Sequence, residues 1–285
     1  MTARLHIRHV TTYRYDAPVD YGLQQLRLTP KPRNGQHIVD WNTRVRGGRE
    51  ELSFDDSHAN HVQLVSIDAG ATEVEITAEG VIEMSDETGV IGSHAGYMPL
   101  WMFLRPTDLT RRGQGTIGLA RDVRPMENQL EQLHALSAAI RETVTYDTNG
   151  MDVARSAEEA IADGHGVCQD HAHIFVTAAR LLDCPARYVS GYLKMNDRDD
   201  QEATHAWAEA HVEGLGWVGF DVSNGISPDK RYVRVATGLD YADAAPISGI
   251  RQGAGLEQMS VSVHVAEAKA QAQQQQSGGQ DQAQS

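Results

Sequence analysis

Residues 164–173 read GHGVCQDHAH and place Cys168, one of two cysteines in the 285-residue chain, between a glycine-bracketed turn and the first turn of a helix. A thiol there faces the positive end of the helix dipole and unpaired backbone N–H groups, both of which favour thiolate over thiol. The same N–H groups, that of Cys168 included, are suited to hold the oxyanion that forms when a thiolate attacks a carbonyl. Two other readings compete. Free cysteine is among the most buried residue types, so a small core residue is the ordinary assignment, and it is the one that fits Cys184. The donors His165, Cys168, Asp170, His171 and His173, with His205 and His211 further on, also raise a metal site. Against it, residues 171 and 173 of one helix point about 200° apart, and the spacing matches neither H-E-x-x-H nor paired C-x-x-C. No metal or other cofactor is expected. Asp170 fits as an acidic residue in the first helical turn, and His171, three residues on from Cys168, can lie beside the thiol. A disulfide is excluded: helical residues rising about 1.5 Å each put Cys168 and Cys184 roughly 20 Å apart, where bridging needs about 7 Å or less.

A nucleophilic thiol needs a base, and the base needs an orienting group. In THAWAEAHVE (204–213), strand alternation puts His205, Trp207, Glu209 and His211 on one face and Ala206, Ala208, Ala210 and Val212 on the other. The small-residue face is the one a helix can approach closely. In WVGFDVSNG (217–225), Asp221 stands near the end of the next strand. A three-residue hairpin loop, Glu213 to Leu215, sets Asp221 opposite Trp207 and diagonal to His205 on the same face. Diagonal neighbours lie about 7–8 Å apart, a span that His and Asp side chains can close.

The elements that would hold these residues divide the chain by period. Residues 1–85 are β-rich: Leu5, Ile7, His9, Thr11, Tyr13 and Tyr15 share a face at period two, and HIVDWNTRV, HVQLVSID and TEVEITAEGVIEM continue the pattern. Residues 86–124 read as a connection, with Tyr97 and Trp101 as core or interface residues. From Met126 the period is helical, with Leu130, Leu133, Leu136, Ile140 and Val144 on one stripe. SAEEAIADG follows, with Ser156 as N-cap, Glu159 completing a capping box and Gly164 just past the end. A helix over 168–182 and strands over 186–193, 205–213 and 217–223 come next, with further strands in YVRVATGLDY and LEQMSVSVHV. The fold class is α+β: an antiparallel β domain (1–85), the connection (86–124), a catalytic domain (125–267) in which the helix bearing Cys168 packs on an antiparallel sheet, and a tail (268–285) without apolar periodicity that should be disordered.

A formal charge of −14 repels phosphate backbones and anionic lipid, so neither nucleic acid nor membrane is an expected partner. No apolar run reaches membrane-spanning or signal-peptide length, and a cytoplasmic location is the reading. The residues define no oligomeric state.

GVCQDHAH, ARYVSGYL, THAWAEAHVEGLGWVGFD and RYVRVATGLDYADAAPISG resemble, in this order, the bacterial branch of the transglutaminase-like superfamily, a group of papain-related cysteine enzymes. TTYRYDAPVDYGLQQLRLTP is similar to the β-rich region that precedes the catalytic domain in that branch. The resemblance spans nearly the whole chain apart from the tail. It implies a papain-like core and a Cys-His-Asp triad at Cys168, His205 and Asp221. The implied activity is acyl transfer on a peptide or protein amide through a thioester, released to water or to another amine. A non-catalytic binding or assembly module is the alternative, and the intact triad argues against it. The sequence departs from the family pattern in Val222-Ser223 after Asp221, where Pro-Thr is expected. It departs again at His171, where an aromatic residue is commoner, and at Tyr232, where a histidine is commoner.

Overall fold

The computed structural model describes residues 2–148 and 155–268, so the expected tail lies outside the described residues except for its first member. Six strands open the chain: β1 (Ala3–Tyr15), β2 (Tyr21–Leu26), β3 (Gln36–Arg46), β4 (Gly48–Asp55), β5 (His61–Ile67) and β6 (Glu73–Met84). β1 buries every second side chain from Leu5 to Tyr15, the face its alternation predicts. Next come β7 (Val90–Gly92), a short 3-10 turn (Leu100–Leu104), α1 (Gln114–Val123), α2 (Gln129–Thr143), β8 (Thr145–Tyr146), α3 (Ala157–Asp163), β9 (His165–Gly166) and α4 (Cys168–Leu181). The chain ends in β10 (Ala186–Leu193), β11 (Asp200–Gln201), β12 (His205–Val212), β13 (Gly216–Phe220), β14 (Tyr232–Gly238), α5 (Tyr241–Ala244), β15 (Ile247–Gln252) and β16 (Glu257–Glu267).

The sheet that carries His205 has the order β14-β10-β12-β13-β7. Its β12–β13 hairpin pairs Ala208 with Phe220 and Val212 with Gly216, the register expected from a three-residue loop. On one face, Ala208, Ala210 and Val212 pack with Ile174, Phe175, Val176 and Ala178 of α4, and Ala206 packs near Cys168 and Ala172. Alanines on the strand leave room for the helix to sit close, and full burial of Phe175 or Ile174 contributes about 1.5–3 kcal/mol each. Around α4 lie α2, through Leu133, Leu136 and Ile140, and α3. α3 has the predicted ends: Glu159 accepts the Ser156 N–H at 2.8 Å, and Gly164 closes it at a left-handed φ of 70°.

Two segments sit elsewhere than their periodicity indicates. β15 pairs with β2, and β16 pairs with β1 along eleven residues. Residues 247–267, expected in the catalytic domain, therefore complete the two N-terminal sheets, whose orders are β15-β2-β5-β4 and β11-β16-β1-β6-β3. Period two defines a strand but not its partner; here the open edges of β1 and β2 take up the returning chain. The 86–124 segment, expected as a connection, supplies β7 to the edge of the sheet that carries His205, buries Phe103, and packs α1 against α4. Tyr97 and Trp101 are corrected as well: they are 92% and 60% exposed, not core or interface residues. Among the described residues no helix is long and apolar enough to cross a membrane.

Candidate active site

Cys168 is the first residue of α4. That helix has no side-chain cap from Val167, and Asp170 ties its start instead, accepting the Val167 N–H at 2.9 Å and an Arg155 N–H at 2.8 Å. A Cβ on Gly166 would lie 2.7 Å from the Asp170 carboxylate, so glycine is what lets the turn close here. Arg155 also donates to Asp163 at 2.7 Å and to the His165 carbonyl at 3.0 Å, clamping the approach to the helix. Asp170 is thus the first-turn acid that the sequence indicates; its partner Arg155 carried no sequence signal.

His205 opens β12 beside Cys168. Its Nε2 lies 2.7 Å from Asp221 Oδ2, which leaves Nδ1 for the thiol. Burial alone would lower the imidazole pKa. The charge of the Cys168 thiolate and hydrogen bonds with Asp221 and Cys168 outweigh it, and the pKa is pushed up to about 10. Asp221 is wholly buried. Burial would raise its pKa, but hydrogen bonds from His205, Asn224 and Tyr232 and the His205 charge hold it below the ordinary value. The Asn224 N–H and Nδ2 donate at 3.1 and 2.6 Å, and the Tyr232 hydroxyl donates at 2.7 Å.

Tyr232 reaches Asp221 because of a register shift. β14 faces α4 at Ala236, which packs near Cys168, and strict alternation would send Arg234 and Tyr232 to that same face. Pairing with β10 shifts between Ser190 and Gly191, so that Ala236 meets Ser190 while Arg234 meets Gly191. The extra residue turns Arg234 and Tyr232 to the opposite face, where Tyr232 packs edge-on to Trp207 and 5.9 Å from the His205 ring. The residue that departs from the family pattern at this position therefore hydrogen-bonds the carboxylate that faces His205. We expect Tyr232→Phe to remove one of the three donors on Asp221 Oδ2 and to lower stability by about 1.5–3 kcal/mol, the range for a hydrogen bond to a charged group. Urea unfolding measures this, and an unchanged midpoint would mean that the hydroxyl contributes nothing.

The remaining donors scatter. His171 does not face the thiol: its Nε2–H donates to the Val144 carbonyl at 3.0 Å, and its Nδ1 accepts from the Ser223 hydroxyl at 2.9 Å. It pins the loop after Asp221 to α4, and burial lowers its pKa. His173 lies against Tyr188 at 5.0 Å and accepts the Tyr241 N–H at 3.2 Å; burial pushes it down to about 4. His165 is exposed, and His211 packs on Trp217. Among the described residues no group of three or more His, Cys, Asp or Glu side chains is placed to hold a metal ion. Cys184 is buried, with its Sγ 3.4 Å from the His211 carbonyl, and burial pushes its pKa up to about 12. Both cysteines are free.

A description of the transglutaminase-like superfamily matches residues 117–222, and one of the bacterial transglutaminase-like N-terminal region matches residues 5–83. The chain belongs to the bacterial transglutaminase-like superfamily. An uncharacterised protein of Mycobacterium leprae is 26% identical over 271 residues, covering 90% of this chain and 96% of that one. Another, of Mycobacterium tuberculosis, is 26% identical over 275 residues, covering 87% and 88%. A candidate cysteine protease from Cytophaga hutchinsonii has the same fold, with a TM-score of 0.73 at 22% identity over 94% of this chain and 91% of that one. Asn224, Tyr232 and the strands over 247–267 lie beyond both matched ranges.

Proposed function

We propose that the protein is a cysteine-dependent amide hydrolase or acyl transferase that acts on peptide or protein substrates through Cys168, His205 and Asp221. The observation that carries this reading is the buried chain of contacts from the helix-tip thiol to His205 and on to Asp221 at 2.7 Å. In the reaction, the Cys168 thiolate attacks the amide carbonyl carbon, and the carbonyl oxygen becomes an oxyanion facing the unpaired N–H groups of the first turn of α4. His205, protonated, gives its proton to the amide nitrogen as the carbon–nitrogen bond breaks; amine leaves and a thioester remains. Neutral His205 then takes a proton from water or from an incoming amine as that nucleophile attacks the thioester, and Cys168 departs as thiolate. Asp221 stays ionised throughout and fixes the imidazole's orientation.

A cavity of about 340 Å³, lined by the residues that flank Cys168 and precede His205 in the chain, supports a peptide as substrate. Val167, Gln169 and Thr204 line one side, and Tyr13, Met259 and Val261 of the N-terminal sheets line the other. The N-terminal sheets thereby form a wall of the proposed cleft. The same reading places the enzyme in the cytoplasm, where a catalytic thiol stays reduced.

The test is alkylation by iodoacetamide, with mass spectrometry reporting each cysteine, alongside ammonia release from glutamine-containing peptides. Cys168 should be carboxamidomethylated with loss of turnover while Cys184, held as a buried thiol, stays intact. Turnover that survives complete modification of Cys168 would defeat the proposal.

A further inference from the structure

The chain is acidic overall, at −14, yet it gathers four basic side chains around one cavity. Lys31, Arg33, Arg187 and Arg234 line a space of about 590 Å³ between the Thr29–Asn34 segment and the catalytic sheet, together with His58 and Trp217. We infer that this cavity binds a small ligand bearing oxyanion groups, phosphate or polycarboxylate, through Arg187, Arg234, Lys31 and Arg33.

One carboxylate, Glu209, is hydrogen-bonded to the cluster, while Glu87 acts on Arg33 and Asp56 on Lys31 from further off. Glu209, wholly buried, accepts from Arg187 Nε at 2.6 Å and from Arg234 Nε at 2.8 Å and Nη2 at 3.3 Å. Asp55, the acid on the cavity wall, is mostly exposed and faces His61 at 3.3 Å. Lys31 finds only neutral acceptors: the His58 carbonyl at 2.6 Å, Asn60 Oδ1 at 3.1 Å and Thr237 Oγ1 at 3.2 Å. Burial, then the charges of Arg234 and Arg187, push the Lys31 pKa down to about 6, against the opposing charges of Glu209 and Asp56.

A donor is also left over. Arg187 meets Glu209 through Nε, and among the described residues Arg33 Nε is buried without a partner. His58 turns Nε2 toward Asp243 at 3.3 Å. A buried donor left unpaired is costly, and an oxyanion would satisfy it. The Arg187 guanidinium carbon lies over the Trp217 ring at 3.8 Å, a cation–π contact that restrains the side chain before any ligand arrives. The volume is in the range of small-molecule sites. None of the proposed triad lines it, and Glu209 stands four residues along β12 from His205, about 13 Å away.

Calorimetric titration of the full chain with pyrophosphate and with citrate, against sodium chloride at matched ionic strength, tests the inference. Saturable one-to-one binding is expected, weakened at least about tenfold in both Lys31→Met and Arg33→Gln. These variants leave the Arg187–Glu209–Arg234 contacts in place, so they should fold. Binding of pyrophosphate without citrate assigns a phosphate ligand, and the reverse assigns a polycarboxylate. No saturable heat from either up to about 10 mM, or affinity that neither variant alters, overturns the site.

Discussion

Cys168→Ala should lower turnover by about 10⁴-fold or more while changing unfolding free energy by no more than about 1 kcal/mol. The first figure follows from the role: a nucleophile that forms the thioester has no substitute in the site, and losing such a group costs most of the rate above the residual from binding and oxyanion contacts. The second follows from packing. The side chain sits at the start of α4 in a small cluster of alanines with Tyr188, and the change removes one sulfur atom, comparable to a methylene. The helix start is held by Asp170 and Arg155, which the substitution does not touch. Steady-state rates and urea midpoints on the same preparation separate the two effects. Equal losses of activity and stability would assign Cys168 to the core instead.

Asp221→Asn should reduce kcat by about 10³–10⁴-fold, through geometry and protonation together. Asp221 Oδ2 takes donors from His205, Tyr232 and Asn224 at once. An amide at this position presents its own donors to at least one of them, so His205 loses its orientation and the charge that supports its protonated form. The pH profile carries the sign. His205 is raised from 6.5 to about 10, so in the unaltered protein the imidazolium that donates to the leaving amine persists until pH rises through about 10, and activity should fall there. With the Asp221 contributions gone, that alkaline fall should move to lower pH. The same group gives a stability contribution that is complete below about 6.5 and disappears as pH rises through about 10. An Asn variant whose alkaline limit stays where it was would show that another group sets the protonation of His205.

How much of this site is legible in the sequence depends on the range of the signal. Cys168 at the head of α4 follows from the glycine-bracketed turn and the helical period after it. The meeting of His205 with Asp221 follows from alternation and a three-residue loop, because in a hairpin the loop length fixes the register. The capping of α3, the stripe on α2 and the buried face of β1 are read in the same way, each from residues within a few positions of one another.

The sequence by itself thus determined the local conformations of β1, α2, α3 and α4, the register of the β12–β13 hairpin, and the residue types on which the proposed acyl transfer rests. Only the tertiary structure decided which edges the strands 247–252 and 257–267 join, since period two describes a strand equally well in any sheet that has an open edge. It also decided that Tyr232 supports Asp221, because one extra residue in β14 reverses the face of everything before it, and the pairing that creates this shift is made with β10, some forty residues away. The gathering of Lys31, Arg33, Arg187 and Arg234 is of the same kind. Separated in the chain, they meet only where the Thr29–Asn34 segment folds against the sheet that carries Arg187 and Arg234.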